Sequence, residues 1–520
     1  MNPPPPPPPP MLTQLSGDAR TMAKGAAENV GGAFLGACLS FALTLLVTHA
    51  ISPSRFGLYA IALATVIVAQ PAAVLGLDVG AVRFVALHAA DGDEPGARGS
   101  FQVAFAIVAI VSVLLTIALF LGAPWLAASA FHKPQAAELI RLVSLALPAL
   151  ALSRVVIGSL QGLGLMGYAA WVNPLRVLGT VLVTVPLLAL GFGARGVAAA
   201  FVPPAWAALA VSLALLVRAL PNAFRLSPAT WRPRRMLAFS LPQTLTTMLL
   251  QVILWTDMLV LGRMRAAAEV AVYAICQRLL SPAQIVSTAT GQMFAPRIAA
   301  EDARGDRRNL GRMLKRVTYW NLAASIPVFA LLLVIPGPIL HLFGNAYSAG
   351  ATALVILAAG QLFNAATGPL GQVINMSGHP YITLANNAVV AALNVVGCLI
   401  LIPRYGIVGA AASTTAAVTI VNVVKLFEVQ WMFGINPFRA QALRTLGVAA
   451  LGASAVAAAV AVVVPWPGAL AEVAVTGLVL VLAYALFFWL LAAGDEERAV
   501  VRRRRQQLVR PRLSRAASPP

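Results

Sequence analysis

Charge is scarce in this chain. Only 10% of the 520 residues are charged, 17 of them acidic, whereas 59% are hydrophobic. A soluble domain carries roughly 25% charged residues, so this composition excludes a surface covered by polar groups. Cysteine is scarcer still. Cys38, Cys276 and Cys398 sit singly inside apolar runs, which excludes a disulfide framework or zinc module and leaves three small buried hydrophobes. The five histidines (His49, His88, His132, His341 and His379) are scattered, and no Asp/Glu pair occupies an external loop. With no long loop to form a soluble domain, the chain is not expected to be an enzyme. No metal or cofactor motif is read, and no secretory leader with a small-residue cleavage site precedes the first apolar run.

What the chain does have is apolar runs of about 20 residues, the length that crosses a bilayer as helix. Breaks at charged or Pro/Gly-rich segments predict about fourteen spans: 27–50, 57–82, 100–122, 137–160, 168–191, 197–217, 236–262, 269–296, 317–340, 351–374, 381–402, 406–430, 444–464 and 469–492. The fold class expected is an all-α polytopic membrane protein. The start, "MNPPPPPPPPM", reads as an extended polyproline tail.

The net charge of +20 is distributed unevenly. The tails and even-numbered loops hold 27 Lys and Arg, the odd-numbered loops 6. The positive-inside rule then puts both termini in the cytoplasm. The "RRRR" at 502–505 reads as a cytoplasmic tail near anionic lipid, with no nucleic-acid partner.

The chain also repeats itself. Tyr59-Ala60-Ile61 and Tyr273-Ala274-Ile275 stand 214 residues apart, and Arg83 and Arg297 follow their tyrosines by the same 24 residues. A second block repeats at 213, matching Gly158 with Gly371, Tyr168 with Tyr381 and Asn173 with Asn386. Two blocks with nearly one offset mark a duplication of six helices in the same topology. Such copies pack about a pseudo-twofold axis along the membrane normal, with a cavity between them. The expected organisation is a disordered Pro-rich N-terminus (1–26), an N-lobe (27–217), a basic cytoplasmic linker (218–235), a C-lobe (236–430), two appended helices (431–494) and a basic tail (495–520).

The stretch "HAISPSRFGLYAIALATVIVAQPAAVLGLDVGAVRFVA" resembles the N-terminal signature of polysaccharide (O-antigen type) flippases. "WTDMLVLGRMRAAAEVAVYAICQRL" is similar to that family's helix 7–8 segment, and "PRYGIVGAAASTTAAVTIVN" to its helix 11–12 turn. The resemblance covers roughly residues 25–430 and rests on structural turns. It departs at Ile51-Ser52, where the family usually has Gly or Leu-Gly. The family belongs to the multidrug/oligosaccharidyl-lipid/polysaccharide exporter superfamily. The resemblance implies alternating-access translocation of a polyprenyl-diphosphate-linked oligosaccharide from the cytoplasmic to the periplasmic leaflet, for surface polysaccharide such as lipopolysaccharide. Its implied partners are the lipid-linked oligosaccharide, membrane lipids and the polysaccharide polymerase machinery.

Charges inside spans are the site candidates, because each costs about 2.5–3.5 kcal/mol or more at the bilayer centre and therefore faces protein or a water-filled cavity. Arg278 stands roughly 14 Å into its span and Arg176 about 12 Å, too deep for easy snorkelling. Each has two readings, a cationic cavity wall for an anionic head group or a buried ion pair that fixes packing. Asp257, near the outer end of the preceding helix, is the expected partner of Arg278; it could equally carry a coupling proton or cation. Arg154 and Asp78 are further candidates, Asp78 with Arg83 close by. Glu138 with Arg141 and Lys425 with Glu428 read as local pairs one turn apart. Neutral polar groups (Gln251, Gln277, Gln361, Asn364, Gln372, Asn375 and Asn386) fit either a sugar-binding wall or interhelical hydrogen bonds. Pro71, Pro148, Pro282 and Pro369 are candidate bending points.

Rival readings remain. A multidrug antiporter of the same superfamily would favour acidic cavity residues over deep arginines. A lipid II flippase shares the anionic substrate chemistry. A membrane-embedded polymerase or ligase lacks its catalytic residues here.

Overall fold

The computed structural model describes residues 11–221, 223–225, 233–438 and 440–492. The polyproline start at 1–10, residues 222 and 226–232 of the basic linker and the "RRRR" tail lie outside the described residues. Among the described residues there is helix and no strand. In chain order the first half contains α1 (Met11–Ala50), α2 (Pro53–Val74), α3 (Leu77–Ala90), α4 (Glu94–Trp125), α5 (Ala136–Ser144), α6 (Leu147–Gly162), α7 (Met166–Ala189), α8 (Gly193–Ala200) and α9 (Val202–Ala219). The second contains α10 (Pro233–Met264), α11 (Ala267–Ala303), α12 (Arg307–Val334), α13 (Pro336–His341), α14 (Ala351–Thr367), α15 (Leu370–Met376) and α16 (Pro380–Phe433). Last come α17 (Ala440–Val463) and α18 (Ala469–Phe487).

Twelve stretches among the described residues are long and apolar enough to cross a membrane. One of them, Tyr381–Phe433, is two helices, because Gly406 (φ 57, ψ −131) breaks the helical path at "PRYG". Side chains pair across that turn as antiparallel arms require: Asn394 Nδ2 donates to Thr414 Oγ1 at 3.0 Å, and Asn386 Nδ2 to Glu428 Oε2 at 2.7 Å. Arg265 closes the first arm by donating to the Ile402 and Pro403 carbonyls, as a cation at a helix C-terminus should. The 37-residue α11 completes the fourteen crossings. The same pairs recur in each half. α1 packs along α7 as α10 does along α16, α3 against α6 as α11 against α15, and α4 against α6 as α12 against α14. α2 lies against both α10 and α11 and joins the halves.

Several predicted spans are broken or extended. α1 begins at Met11, earlier than the expected 27 and within the segment read as disordered. Span 57–82 is two helices because Leu75 (φ 53) and Gly76 (φ 64) are both left-handed. Only glycine fits at Gly76, where a Cβ would also collide with the Ser240 carbonyl of α10. Spans 137–160 and 351–374 likewise divide, into α5 with α6 and α14 with α15.

Prolines explain much of the polar side-chain placement. A proline inside a helix leaves the carbonyl four residues earlier without its N–H partner, and a membrane supplies no water to replace it. Here neighbouring side chains do so. Pro71 frees Ile67 O, which accepts from Gln251 Nε2 at 3.3 Å. Pro327 frees Ala323 O, which accepts from the Tyr484 hydroxyl at 3.0 Å. Pro369 follows Ala365 by four, and Asn321 Nδ2 donates to Ala365 O at 3.0 Å. Pro282 frees Arg278 O, and Ser281 Oγ donates to it at 2.7 Å, so α11 runs on unbroken past this residue.

Candidate functional site

A cavity of about 290 Å³ lies where α1, α2, α10 and α11 meet, lined among others by Thr44, Phe56, Tyr59, Trp255, Gln277 and Arg278. Arg278 enters it from α11. Its Nε donates to Thr44 Oγ1 at 3.3 Å and its Nη2 reaches Ser40 O at 3.5 Å. Arg176 of α7 stands beside the cavity, donating to Asn173 Oδ1 at 2.9 Å with its guanidinium 5.5 Å over the Phe201 ring. Tyr59 is close enough to interact electrostatically with both arginines, and the arginines with each other. Neither has an ion-pair partner among the described residues. Two cations therefore share this region without a counter-ion among the described residues, Arg176 half-buried and Arg278 open to the cavity.

Asp257 is not the partner of Arg278, contrary to expectation. It is 1% exposed and accepts only neutral donors: the Tyr273 hydroxyl, Gln277 Nε2 at 2.8 Å, Thr414 Oγ1 at 3.1 Å and the Met258 amide at 2.8 Å. The reason is helical phase. Tyr273 and Gln277 are four apart on α11 and share a face, and that face meets α10 and α16. Arg278, one residue on, points about 100° away at 3.6 residues per turn, toward α1. The repeated tyrosines thus diverge in role. Tyr59 meets cations and Tyr273 meets a carboxylate.

The remaining candidates scatter. Asp78 pairs with Arg154, Oδ2 to Nε 2.9 Å, and Arg83 instead stacks 4.4 Å from the Phe239 ring centroid. Only about 10 Å³ of free space adjoins the Asp78–Arg154 pair, room for little more than a water. Gln251 serves the Ile67 carbonyl and does not line the arginine cavity. Gln277 both lines that cavity and holds Asp257. Asn375, on α15, is half-buried and lines neither this cavity nor the one adjoining it in the C-terminal half. One of the two local pairs is also replaced. Glu138 bonds Arg195 at 2.8 Å, leaving Arg141 to the Phe120 carbonyl at 3.2 Å. Glu428 accepts from Asn386 at 2.7 Å and also interacts electrostatically with Lys425 one turn before it. Sequence reasoning missed Thr44, Trp255 and Thr414. The Tyr-Ala-Ile repeat was a signal for the tyrosines, but as a marker of duplication rather than of chemistry.

Known proteins share this plan. A family model described as polysaccharide biosynthesis protein matches residues 22–300, and the MatE model matches residues 242–400. The chain is 21% identical over 171 residues to the probable low-salt glycan biosynthesis flippase Agl15 of Haloferax volcanii, spanning 33% of this chain and 36% of that relative's length. Among solved structures, the lipid II flippase MurJ in an inward closed conformation superposes with TM-score 0.70 at 15% identity, over 89% of this chain and 98% of that one. An inward-facing multidrug resistance MATE family transporter of the MOP superfamily superposes with TM-score 0.63 at 16% identity, over 79% and 98%. A MOP superfamily transporter from Pyrococcus furiosus, described with a binding pocket of reverse polarity, gives 0.55 at 16%, over 80% and 95%. At these identities the structural likeness is one of fold.

Proposed function

The chain belongs to the polysaccharide biosynthesis protein family, and from that premise we propose that it flips a polyprenyl-diphosphate-linked oligosaccharide from the cytoplasmic to the periplasmic leaflet. One observation carries the reading: Arg278, in the cavity, and Arg176, beside it, have no carboxylate partner among the described residues. Unpaired guanidinium groups open to a cavity are ready to take an anion, and a diphosphate supplies the complementary charge through bidentate, charge-assisted hydrogen bonds. Residues 27–217 and 236–430 act as the two halves that rock about this cavity. The protein resides in the bacterial inner membrane with both termini cytoplasmic and hands its product to polysaccharide polymerase machinery. Asp257, held by neutral donors alone, is the group whose change of charge couples transport to a proton or cation gradient.

A cationic cavity disfavours cationic drugs. Lipid II carries the same diphosphate chemistry, so the test must separate the two cargoes. Deletion of the gene should abolish surface polysaccharide and accumulate lipid-linked oligosaccharide on the inner leaflet while cell-wall synthesis continues. Arrest of wall synthesis would point to lipid II. Unchanged polysaccharide with raised drug sensitivity would overturn the flippase reading.

A further inference from the structure

A second cavity, of about 320 Å³, opens within the C-terminal half. Its polar wall comprises Gln284, Gln361, Asn364, Asn387, Asn422 and Lys425, from α11, α14 and α16. It adjoins the arginine cavity, since Leu254 and Gln284 line both. Along α11, Gln284 follows Arg278 by six residues, about 9 Å of helix, toward the basic loop after Ala303.

Five carboxamides around one space are more than packing requires. Part of their capacity is used internally: Asn422 Nδ2 donates to Asn364 Oδ1 at 2.8 Å, and Asn364 Nδ2 to Gln361 Oε1 at 3.3 Å. The rest is open. Asn387 is 7% exposed, and its side chain, like that of Gln284, has no hydrogen-bond partner among the described residues. Each carboxamide offers two donors and an acceptor oxygen, and those of Asn387 and Gln284 line the cavity. The same space is walled by apolar side chains, among them Leu250, Ile253, Phe329 and Val421. Together they match a ligand that both donates and accepts at its edges and is apolar on its faces, which is the chemistry of a sugar ring.

Resting on the reading that the arginines take the diphosphate, we propose that this amide chamber holds the sugars nearest the diphosphate. Asn387 and Gln284 then select a glycosylated carrier over the bare one. The two cavities form one site with an arginine end and a carboxamide-rich end. Their adjacency lets a single cargo occupy both, with Lys425 the one cation that the described lining of the amide chamber carries.

The test uses the full chain in nanodiscs and two probes, a polyprenyl diphosphate and the same lipid bearing one N-acetylglucosamine. The unsubstituted protein should bind the glycosylated probe about tenfold more tightly, the gain expected from one or two neutral hydrogen bonds. The double variant Asn387→Leu/Gln284→Met removes two amides that have no hydrogen-bond partner among the described residues, so the bonds that hold the helices together stay in place. It should lose the preference and keep its affinity for the bare diphosphate. Arg278→Gln should weaken both probes alike. Equal binding of the two probes by the unsubstituted protein, or a preference that survives the double variant, overturns the amide chamber. Undiminished binding of the bare diphosphate by Arg278→Gln overturns the diphosphate reading instead.

Discussion

Asp257 and Arg278 stand on helices joined by the Arg265-Ala266 turn, yet they do not pair. The carboxylate accepts from Tyr273, Gln277 and Thr414, while the guanidinium reaches Thr44 of α1. A cation and an anion that look complementary in the sequence thus belong to separate structures. One is a buried knot between α10, α11 and α16. The other is the charged wall of a cavity between the halves.

If Arg278 serves an anionic cargo, losing its charge should reduce transport without unfolding the protein. Hydrogen bonds to charged groups contribute about 1.5–3 kcal/mol, so Arg278→Gln should lower export of lipid-linked glycan by about 10- to 100-fold. Protein abundance should stay normal on a membrane immunoblot. Undiminished export would make Arg278 a packing residue.

Asp257 should matter to stability in a graded way. Asp257→Leu leaves the Tyr273 hydroxyl, the Gln277 amide and the Thr414 hydroxyl without their shared acceptor, each at about 1–3 kcal/mol. Asp257→Asn keeps one acceptor oxygen and should cost less. Melting of the purified protein should rank the unsubstituted chain above Asn, and Asn above Leu. Equal melting temperatures for the two variants would contradict this network. Asp257→Asn should in addition abolish the dependence of transport on an imposed gradient.

Gln251 and Pro71 should be energetically coupled. Gln251→Met leaves Ile67 O unpaired inside the membrane, a loss of about 1–3 kcal/mol. Pro71→Ala restores an N–H for that carbonyl, so in its background Gln251→Met should cost almost nothing. The check is a double-mutant cycle read by thermal denaturation. Additive losses would mean that the carbonyl finds another donor.

Gly57 marks a close approach of the two halves, for a Cβ there would collide with the backbone carbonyl of Ala267 at the start of α11. Backbone cannot swing aside as a side-chain tip can. Gly57→Ala should therefore fall at the upper end of overpacking penalties, about 3 kcal/mol, seen as a lowered melting temperature or loss from the membrane. An unaffected variant would show that α2 and α11 separate freely there.

Hydropathy and length made the architecture legible in the chain itself. Fourteen spans, the reversal at "PRYG" and the duplication behind Tyr59 and Tyr273 all follow from local patterns, because a bilayer demands a fixed length of apolar helix with every backbone group paired. Depth in the membrane is similarly local, so Arg278 and Arg176 could be picked out as deep cations. Partnership is not local. Only the tertiary structure decided that Gln251 serves a proline's orphan carbonyl, that Asp78 pairs with Arg154, and that Asp257 turns away from Arg278. The reason is rotational: each residue advances about 100° around its helix, and the neighbour it then meets is set by how helices pack across hundreds of residues of intervening chain.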